Sequence, residues 1–401
     1  MKKYYYLCGP TVYNYPHIGN MRPIVTFDLM IRAQRYLGDE IFYLHNITDI
    51  DDKIINKSLE ENKSEKEITS FYEKYYLNLF TLFNLEMPTK VIRVTDSLDD
   101  MYNYIQRLID IKAAYQVGKN VFFDIEKYQN TYGSISNQKI ANLNYDEDKF
   151  QKNNPFDFAL WKETSKGIKF ASPFGEGRPG WHTECSCFID KYFEGKTIDI
   201  HAGGIDLIFP HHENENIQHF ALHHQPIAKN WMHFGTLNYK NQKMSKSIGN
   251  LIYPHDFLEK YEADTYKLLM LTTNYAKPIN LTDEMLVLNQ NQINKFKVIA
   301  SKCLLEKMHD SIDQEKVNHI IALIASLNFA KANEELIKLT KSKEKYTTFI
   351  AIMKILGFNF ASKTITKEDE ELYQQWKNEV ANKNFEQADT LRAKLIKKGL
   401  I

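Results

Sequence analysis

The sequence predicts an α/β protein, a doubly wound parallel sheet built in two halves around an insertion and followed by an all-α helix bundle. Three observations carry this. Two short apolar runs near the start, residues 4–7 and 41–44, flank a segment with helical periodicity. A similar run returns far downstream at residues 198–201. After Asn250 the apolar pattern is helical throughout.

Residues 4–7 stop at Cys8-Gly9-Pro10, the pattern of a buried strand entering a turn. The segment Pro16-His17-Ile18-Gly19-Asn20-Met21-Arg22-Pro23 leads into Ile24, Phe27, Met30 and Ile31 at helical spacing, and Gly38 closes that helix. The second strand ends at Asn46-Ile47-Thr48-Asp49. Strand, helix and strand in this compass make a βαβ unit, which brings the loops after Leu7 and Leu44 to one carboxyl edge, where doubly wound sheets bind ligands. Helical patterns fill much of residues 67–112. Val121-Phe122-Phe123-Asp124 and Tyr132-Gly133 suggest short strands, and with the polar, asparagine-rich stretch to Asn154 they read as an insertion. Residues 198–201 return to the sheet, and residues 231–237 suggest a further strand. In the last part, Ile293, Phe296, Ala300, Cys303 and Leu304 share a helical face, as do Val317, Ile320, Ile321, Ile324 and Leu327, and then Phe349, Ile352, Met353 and Leu356. Residues 369–401 read as short, helical and basic at the end.

At 401 residues the chain exceeds the usual single core, so two or three domains are expected. Lys+Arg and Asp+Glu balance at 51 each, so bulk charge points to neither a nucleic-acid coat nor a membrane-surface protein, and a polyanionic partner must be met by local patches. Cys8, Cys185, Cys187 and Cys303 are too few and too scattered for a disulfide framework, which favours a reducing compartment. The first residues lack the apolar run of a signal peptide, and no segment is long and apolar enough to span a bilayer. A cytoplasmic protein without a membrane partner is expected.

The chemically densest stretch is residues 201–216, His-Ala-Gly-Gly-Ile-Asp-Leu-Ile-Phe-Pro-His-His-Glu-Asn-Glu-Asn. Pro210 suits a helix's first turn, and in that helix His211 and Glu215 stand at i, i+4, so that imidazole and carboxylate can converge on one cation. A third ligand is expected from Pro179-Gly180-Trp181-His182-Thr183-Glu184-Cys185-Ser186-Cys187, where Cys185 and Cys187 cannot face the same way on a helix. His17-Ile18-Gly19-Asn20 sits at a strand-loop-helix junction suited to a phosphate. Lys243-Met244-Ser245-Lys246-Ser247, flanked by Gln242 and by Gly249-Asn250, reads as a mobile basic loop.

Taken together, His17-Ile18-Gly19-Asn20 and Lys243-Met244-Ser245-Lys246-Ser247 resemble the two signatures of class I aminoacyl-tRNA synthetases. With Cys8-Gly9-Pro10-Thr11-Val12-Tyr13, Asn46-Ile47-Thr48-Asp49-Ile50-Asp51-Asp52-Lys53, Gly177-Arg178-Pro179-Gly180-Trp181-His182-Thr183-Glu184-Cys185 and Phe209-Pro210-His211-His212-Glu213-Asn214-Glu215, the chain resembles the cysteinyl-tRNA synthetases. The resemblance runs from the first strand to about residue 290 and is looser beyond it.

The resemblance implies a Rossmann-like catalytic domain with its first half at 1–115, a connective insertion at 116–178 and a second half at 179–250. It further implies a stem-contact linker at 251–290, an anticodon-binding bundle at 291–360 and a short helical segment at 361–401. It implies one Zn²⁺ per subunit held by Cys8, Cys185, His211 and Glu215, with the substrate thiolate as a further ligand. Gly9, Thr48, Trp181, His201 and Asp206 would surround L-cysteine, with Asp206 on its ammonium group. His17, Asn20 and Lys246 would bind ATP with Mg²⁺, and His17, Asn20, Lys243 and Lys246 would make up the catalytic set. The implied reaction is ATP-dependent attachment of cysteine to tRNA(Cys) through a cysteinyl-adenylate, by a protein expected to be a monomer. Asn20 stands where many members carry a second histidine, and Asn328-Phe329-Ala330-Lys331 replaces an expected Asp-Phe-Asn-Thr run.

Overall fold

The computed structural model describes residues 2–139, 151–308 and 310–401. Along the chain, β1 (Lys2–Leu7), α1 (Ile18–Tyr36), β2 (Glu40–Ile47), α2 (Asp52–Glu61), α3 (Glu65–Leu82), β3 (Lys90–Arg93) and α4 (Leu98–Asp110) are followed by β4 (Ala114–Val117), β5 (Asn120–Phe123), β6 (Phe158–Lys162) and β7 (Arg178–Pro179). Next come α5 (Trp181–Tyr192), β8 (Ile198–Gly204), α6 (Glu213–His223), β9 (Ala228–Phe234), β10 (Leu237–Tyr239) and β11 (Gln242–Lys243). The rest is α7 (Pro254–Lys260), α8 (Ala263–Leu271), β12 (Ile279–Leu281), α9 (Asp283–Leu305), α10 (Gln314–Ala325), α11 (Phe329–Leu339), α12 (Tyr346–Ile355), α13 (Lys367–Ala381) and α14 (Phe385–Lys397). The chain divides into two compact units, one of Met1–Tyr15, Glu40–Asn78 and Met87–Gly235, the other of Pro16–Asp39, Leu79–Glu86 and Thr236–Ile401.

The first unit holds a five-stranded sheet in the order β3-β2-β1-β8-β9, and every neighbouring pair in it is parallel. The strand order therefore reverses between β1 and β8, and a crevice at the carboxyl ends of those two strands is where such a sheet takes its ligand. The insertion forms its own antiparallel sheet, β4-β5-β6-β7, whose Val121, Phe123, Leu160 and Trp161 join one core with Tyr6 and Leu44 of the strands and with Tyr104, Phe188 and Ile217 of α4, α5 and α6. Two local expectations differ from the structure. Tyr132-Gly133 lies in a run of turns with Gly133 at φ +94°, a conformation that suits glycine and breaks a ladder. β3 falls inside the window read as helical, because a four-residue edge strand is too short to show an alternation. Residues 140–150 of the asparagine-rich stretch lie outside the described residues.

In the second unit α1 packs against α8 and α10. Arg22, 1% exposed, donates to the carbonyls of Thr236, Asn274 and Lys277, and Tyr266 donates to the carbonyl of Ile18. Lys267 of α8 is also buried, donating to the carbonyls of Asn84 (3.0 Å) and Gly357 (2.9 Å) with Asp28 at 3.6 Å. The bundle α9–α12 buries the predicted Ile293, Phe296, Ala300, Val317, Ile320, Ile321, Ile324, Phe349, Ile352, Met353 and Leu356. At its edge the helical face shifts by one residue. Leu305, not Leu304, joins a small core with Tyr373, Leu395 and Leu400. Among the described residues no helix is long and apolar enough to cross a membrane.

Candidate active site

The carboxyl end of β1 delivers Cys8 and Gly9 to the switch point. The Cys8 N–H donates to the Ala202 carbonyl of β8 (2.9 Å), and the Gly9 N–H to Asn46 Oδ1 at the end of β2 (2.7 Å). A Cβ on Gly9 would lie 1.6 Å from the Asn46 carbonyl oxygen, so this approach of two backbones requires glycine. Thr48 is buried beside it, donating to Glu184 Oε2 (2.6 Å) and accepting from the Asn46 amide (3.2 Å).

α5 begins directly after β7. A Cβ on Gly180 would lie 1.9 Å from the Ala159 carbonyl oxygen, so here too the close approach excludes any other residue. From this helix Cys185 reaches the crevice while Cys187 does not. Cys187 is buried near Asp100 and Asp190, and burial and those acids push its thiol well up. α6 supplies Glu215, and His211 comes from the wider turn Ile208–His212 that precedes it, so regular helix starts three residues after Pro210. The i, i+4 convergence nevertheless holds, with His211 Nε2 2.9 Å from Glu215 Oε1.

The ligand atoms of Cys8, Cys185, His211 and Glu215 all lie within 4.8 Å of one another, and three of the four residues are buried. Cys185 Sγ is 3.7 Å from His211 Nε2, and Cys8 Sγ 3.9 Å from Glu215 Oε1. A tetrahedral zinc with these ligands spaces its donors by about 3.3–3.8 Å, and of the three pairs Cys185–His211, Cys8–Glu215 and His211–Glu215 the last, at 2.9 Å, is closer than that. The donor set, two thiols, one imidazole and one carboxylate, fits zinc. Burial pushes the Cys185 thiol up, but hydrogen bonds to Cys8 and His211 outweigh it and bring the thiol down to about 6. Burial and the neighbouring Cys185 hold Cys8 well above its ordinary value. Burial alone would discharge His211, yet Glu215 and Cys185 raise it to about 10. Glu215, against the effect of burial, is held far below the usual carboxylate range by His201 and His211.

A second donor set, Cys8, His201, His212 and Glu215, shares two members with the first. His201 Nε2 lies 2.5 Å from Glu215 Oε2, and its ring stacks on Trp231 at 4.5 Å. His212 Nε2 is 3.5 Å from Cys8 Sγ, and its Nδ1 is 3.0 Å from His233 Nε2. Burial drives the pKa of His212 well down and that of His233 to about 4, so both rings are neutral. Trp181, 41% exposed, stacks on His211 at 4.3 Å, and Asp206 is exposed on the short turn Ile205–Leu207.

The two signature motifs both belong to the second unit. His17 caps α1. Its Nδ1 accepts from the Gly19 N–H (3.1 Å), and the His17 N–H donates to Asn20 Oδ1 (2.9 Å). An Nδ1 that accepts leaves the ring proton on Nε2, free to donate. Burial, and then Lys243, lower the pKa of His17, which keeps the ring neutral. A Cβ on Gly19 would touch Met244 Cε at 3.2 Å, so the buried Met244 seats the lysine loop against the first turn of α1. Asn250 closes that loop, accepting from the Ser245 N–H (2.9 Å) and donating to the Lys243 carbonyl (3.2 Å).

The tRNA synthetases class I (C) catalytic domain family matches residues 2–292. A cysteine–tRNA ligase of Mesoplasma florum is 41% identical over 420 aligned positions, covering 99% of this chain and 95% of its own. One from Mesomycoplasma hyopneumoniae strain 232 is 43% identical over 394 positions, covering 98% and 96%. The chain belongs to the cysteine–tRNA ligase family. Solved relatives are similar in fold. Mycobacterium tuberculosis methionyl-tRNA synthetase in complex with methionyl-adenylate superposes with a TM-score of 0.64 at 14% identity, over 90% of both chains. The ternary complex of the Agrobacterium radiobacter K84 agnB2 LeuRS with tRNA and LeuAMS gives 0.63 at 10% identity, over 90% of this chain and 86% of that one.

In this cysteine–tRNA ligase chain, sequence reading missed His212, Trp231, His233, Asn46 and Glu184 around the cluster. Trp231 and His233 carried a usable signal, since alternate residues of a strand share a face. Asn46 and Glu184 stand within the segments that carry the resemblance, but nothing local marks their contacts, because their partners lie 37 and 136 residues away.

Proposed function

We propose that the protein joins L-cysteine to tRNA(Cys) in two steps, cysteinyl-adenylate formation and transfer, with zinc at Cys8, Cys185, His211 and Glu215. The observation that carries the reading is the convergence of those four donor atoms within 4.8 Å at the switch point of the sheet. The set with two sulfurs is preferred over the one with His201 and His212, because sulfur donors suit zinc and His201 already serves Glu215. Zinc held by these residues would supply a Lewis acid with a preference for thiolate over hydroxyl, which would favour cysteine over serine.

Around that ligand Gly9 and Thr48 would floor the pocket, Trp181 would wall it, His201 would hold Glu215 in place, and Asp206 would receive the ammonium group. ATP, with Mg²⁺, would meet the Nε2–H of His17, the Asn20 amide and the Lys246 ammonium. Lys243 would add to the effect of burial in keeping His17 neutral. The cysteine carboxylate, already ionised, attacks the α-phosphorus, and the bond to pyrophosphate breaks as the Lys246 ammonium neutralises charge on the leaving oxygens and the His17 Nε2–H hydrogen-bonds to them. A ribose hydroxyl of the tRNA terminus then displaces AMP. The bundle at 291–360 would read the anticodon.

The test is charging of unfractionated tRNA with labelled cysteine, by native protein and by protein stripped of zinc. Charging lost with the metal and restored by zinc supports the reading. Cysteine-dependent pyrophosphate exchange without charging would overturn the tRNA step, and charging indifferent to zinc would overturn the metal assignment.

A further inference from the structure

Regular geometry in α6 begins only at Glu213, and no side chain caps that end. His211 stands in the preceding turn, where Phe209 is extended, so the helix alone does not fix His211 relative to Glu215. Glu213 lies two residues from each, about 200° around the helix axis, on the side away from the donor cluster. That side is tied down by the insertion.

Glu213 is fully buried, and its carboxyl group receives a converging set of donors from one loop. Oε2 accepts from the Ile135 N–H (3.1 Å), the Ser136 N–H (2.8 Å) and the Ser136 hydroxyl (2.8 Å), and Oε1 from the Ser134 hydroxyl (3.4 Å). The neighbouring asparagines repeat the link. Tyr132 donates to Asn214 Oδ1 (2.7 Å), and Asn216 Nδ2 donates to the Ser134 hydroxyl (3.1 Å). Asn216 Oδ1 accepts from the Ile227 N–H (3.0 Å), which fastens the same helix to the entry of β9. A fully buried carboxyl with four donors is costly to assemble unless every bond is made. This network ties the first turn of α6, which starts between His211 and Glu215, to the loop at residues 132–136.

We infer that Glu213 is a positioning residue. Through Ser134, Ile135 and Ser136, it makes the loop at residues 132–136 of the insertion the device that holds the metal-ligand turn in register. This rests on the zinc reading above. The insertion, on this view, sets how tightly the metal is held and how well the substrate thiol is oriented, without touching either.

The test compares native protein with Glu213→Gln, Ser136→Ala and Tyr132→Phe, measuring zinc transfer to a chromogenic chelator, melting temperature, and cysteine KM and kcat in pyrophosphate exchange. Partners that orient metal ligands typically account for about 10–100-fold in affinity, so zinc release from Glu213→Gln should be at least about tenfold faster, and from Ser136→Ala faster by a smaller factor. Cysteine KM should rise in parallel, with kcat within about threefold of native and the ATP KM unchanged. If Glu213→Gln unfolds, Ser136→Ala and Tyr132→Phe decide alone, because both loop side chains leave α6 intact. Native-like zinc release and cysteine KM in the folded variants overturn the inference while leaving the zinc reading standing. Native protein that binds no zinc overturns both.

Discussion

Gly9→Ala is the sharpest single perturbation of this site. The added methyl would sit 1.6 Å from the Asn46 carbonyl oxygen, whereas carbon and oxygen approach no closer than about 3.3 Å, so the backbones must part by more than about 1.5 Å. No side chain can yield, because the obstacle is main chain. Three hydrogen bonds join the segment after β1 to the end of β2 here, from Gly9 N–H to Asn46 Oδ1, from Thr48 N–H to the Pro10 carbonyl (3.0 Å) and from Val12 N–H to the Thr48 carbonyl (3.1 Å). At about 1 kcal/mol each their loss costs about 3 kcal/mol. The reduced freedom of the unfolded chain returns about 0.4–1 kcal/mol, leaving a net loss of about 2–3 kcal/mol. Because Cys8 is the preceding residue, its sulfur leaves the cluster, and a misplacement of about 1 Å at a reacting site costs about 100-fold in rate. Urea unfolding gives the first quantity, zinc content and cysteine-dependent pyrophosphate exchange the second. A variant within about 0.5 kcal/mol of native with full zinc content would refute the close-approach argument.

Glu215→Ala removes the carboxylate shared by His201 and His211, so zinc affinity should fall by more than the about 10–100-fold that outlying partners cost, and cysteine selection should fall with it. Full zinc content and normal cysteine KM would remove Glu215 from the ligand set. Lys246→Ala should slow adenylate formation by about 10²–10³-fold while sparing zinc content, since the cluster is built wholly from the first unit and Lys246 belongs to the second. An unchanged pyrophosphate-exchange rate would count against its role. Lys267→Met removes a buried donor shared by the carbonyls of Asn84 and Gly357 beside Asp28, but Asp28 keeps Arg32 and the Glu86 N–H, the Asn84 carbonyl keeps Arg32 and the Gly357 carbonyl keeps the Asn84 amide, so a loss of about 1–3 kcal/mol is expected by thermal unfolding. A melting temperature unchanged from native would show that the remaining partners satisfy these acceptors by themselves.

By itself the sequence determined what periodicity and local chemistry can express. The run at residues 4–7, the helix after His17 and the bundle faces of α10 and α12 were legible because burial of one face imposes a spacing on its own segment. The i, i+4 pair His211 and Glu215 was legible for the same reason, although the helix starts later than the proline suggested. Motif resemblance, not spacing, separated Cys185 from Cys187. The tertiary structure decided the rest. It brought Cys8 to α5 and α6 by seating β1 beside β8, and it wired Glu213 to a turn about 80 residues earlier. It also made the insertion part of the core of the first unit. Contacts of that range leave no periodic trace in the chain, because each is set by which strands pair and which backbones can touch, a choice made only when the whole sheet closes on its neighbours.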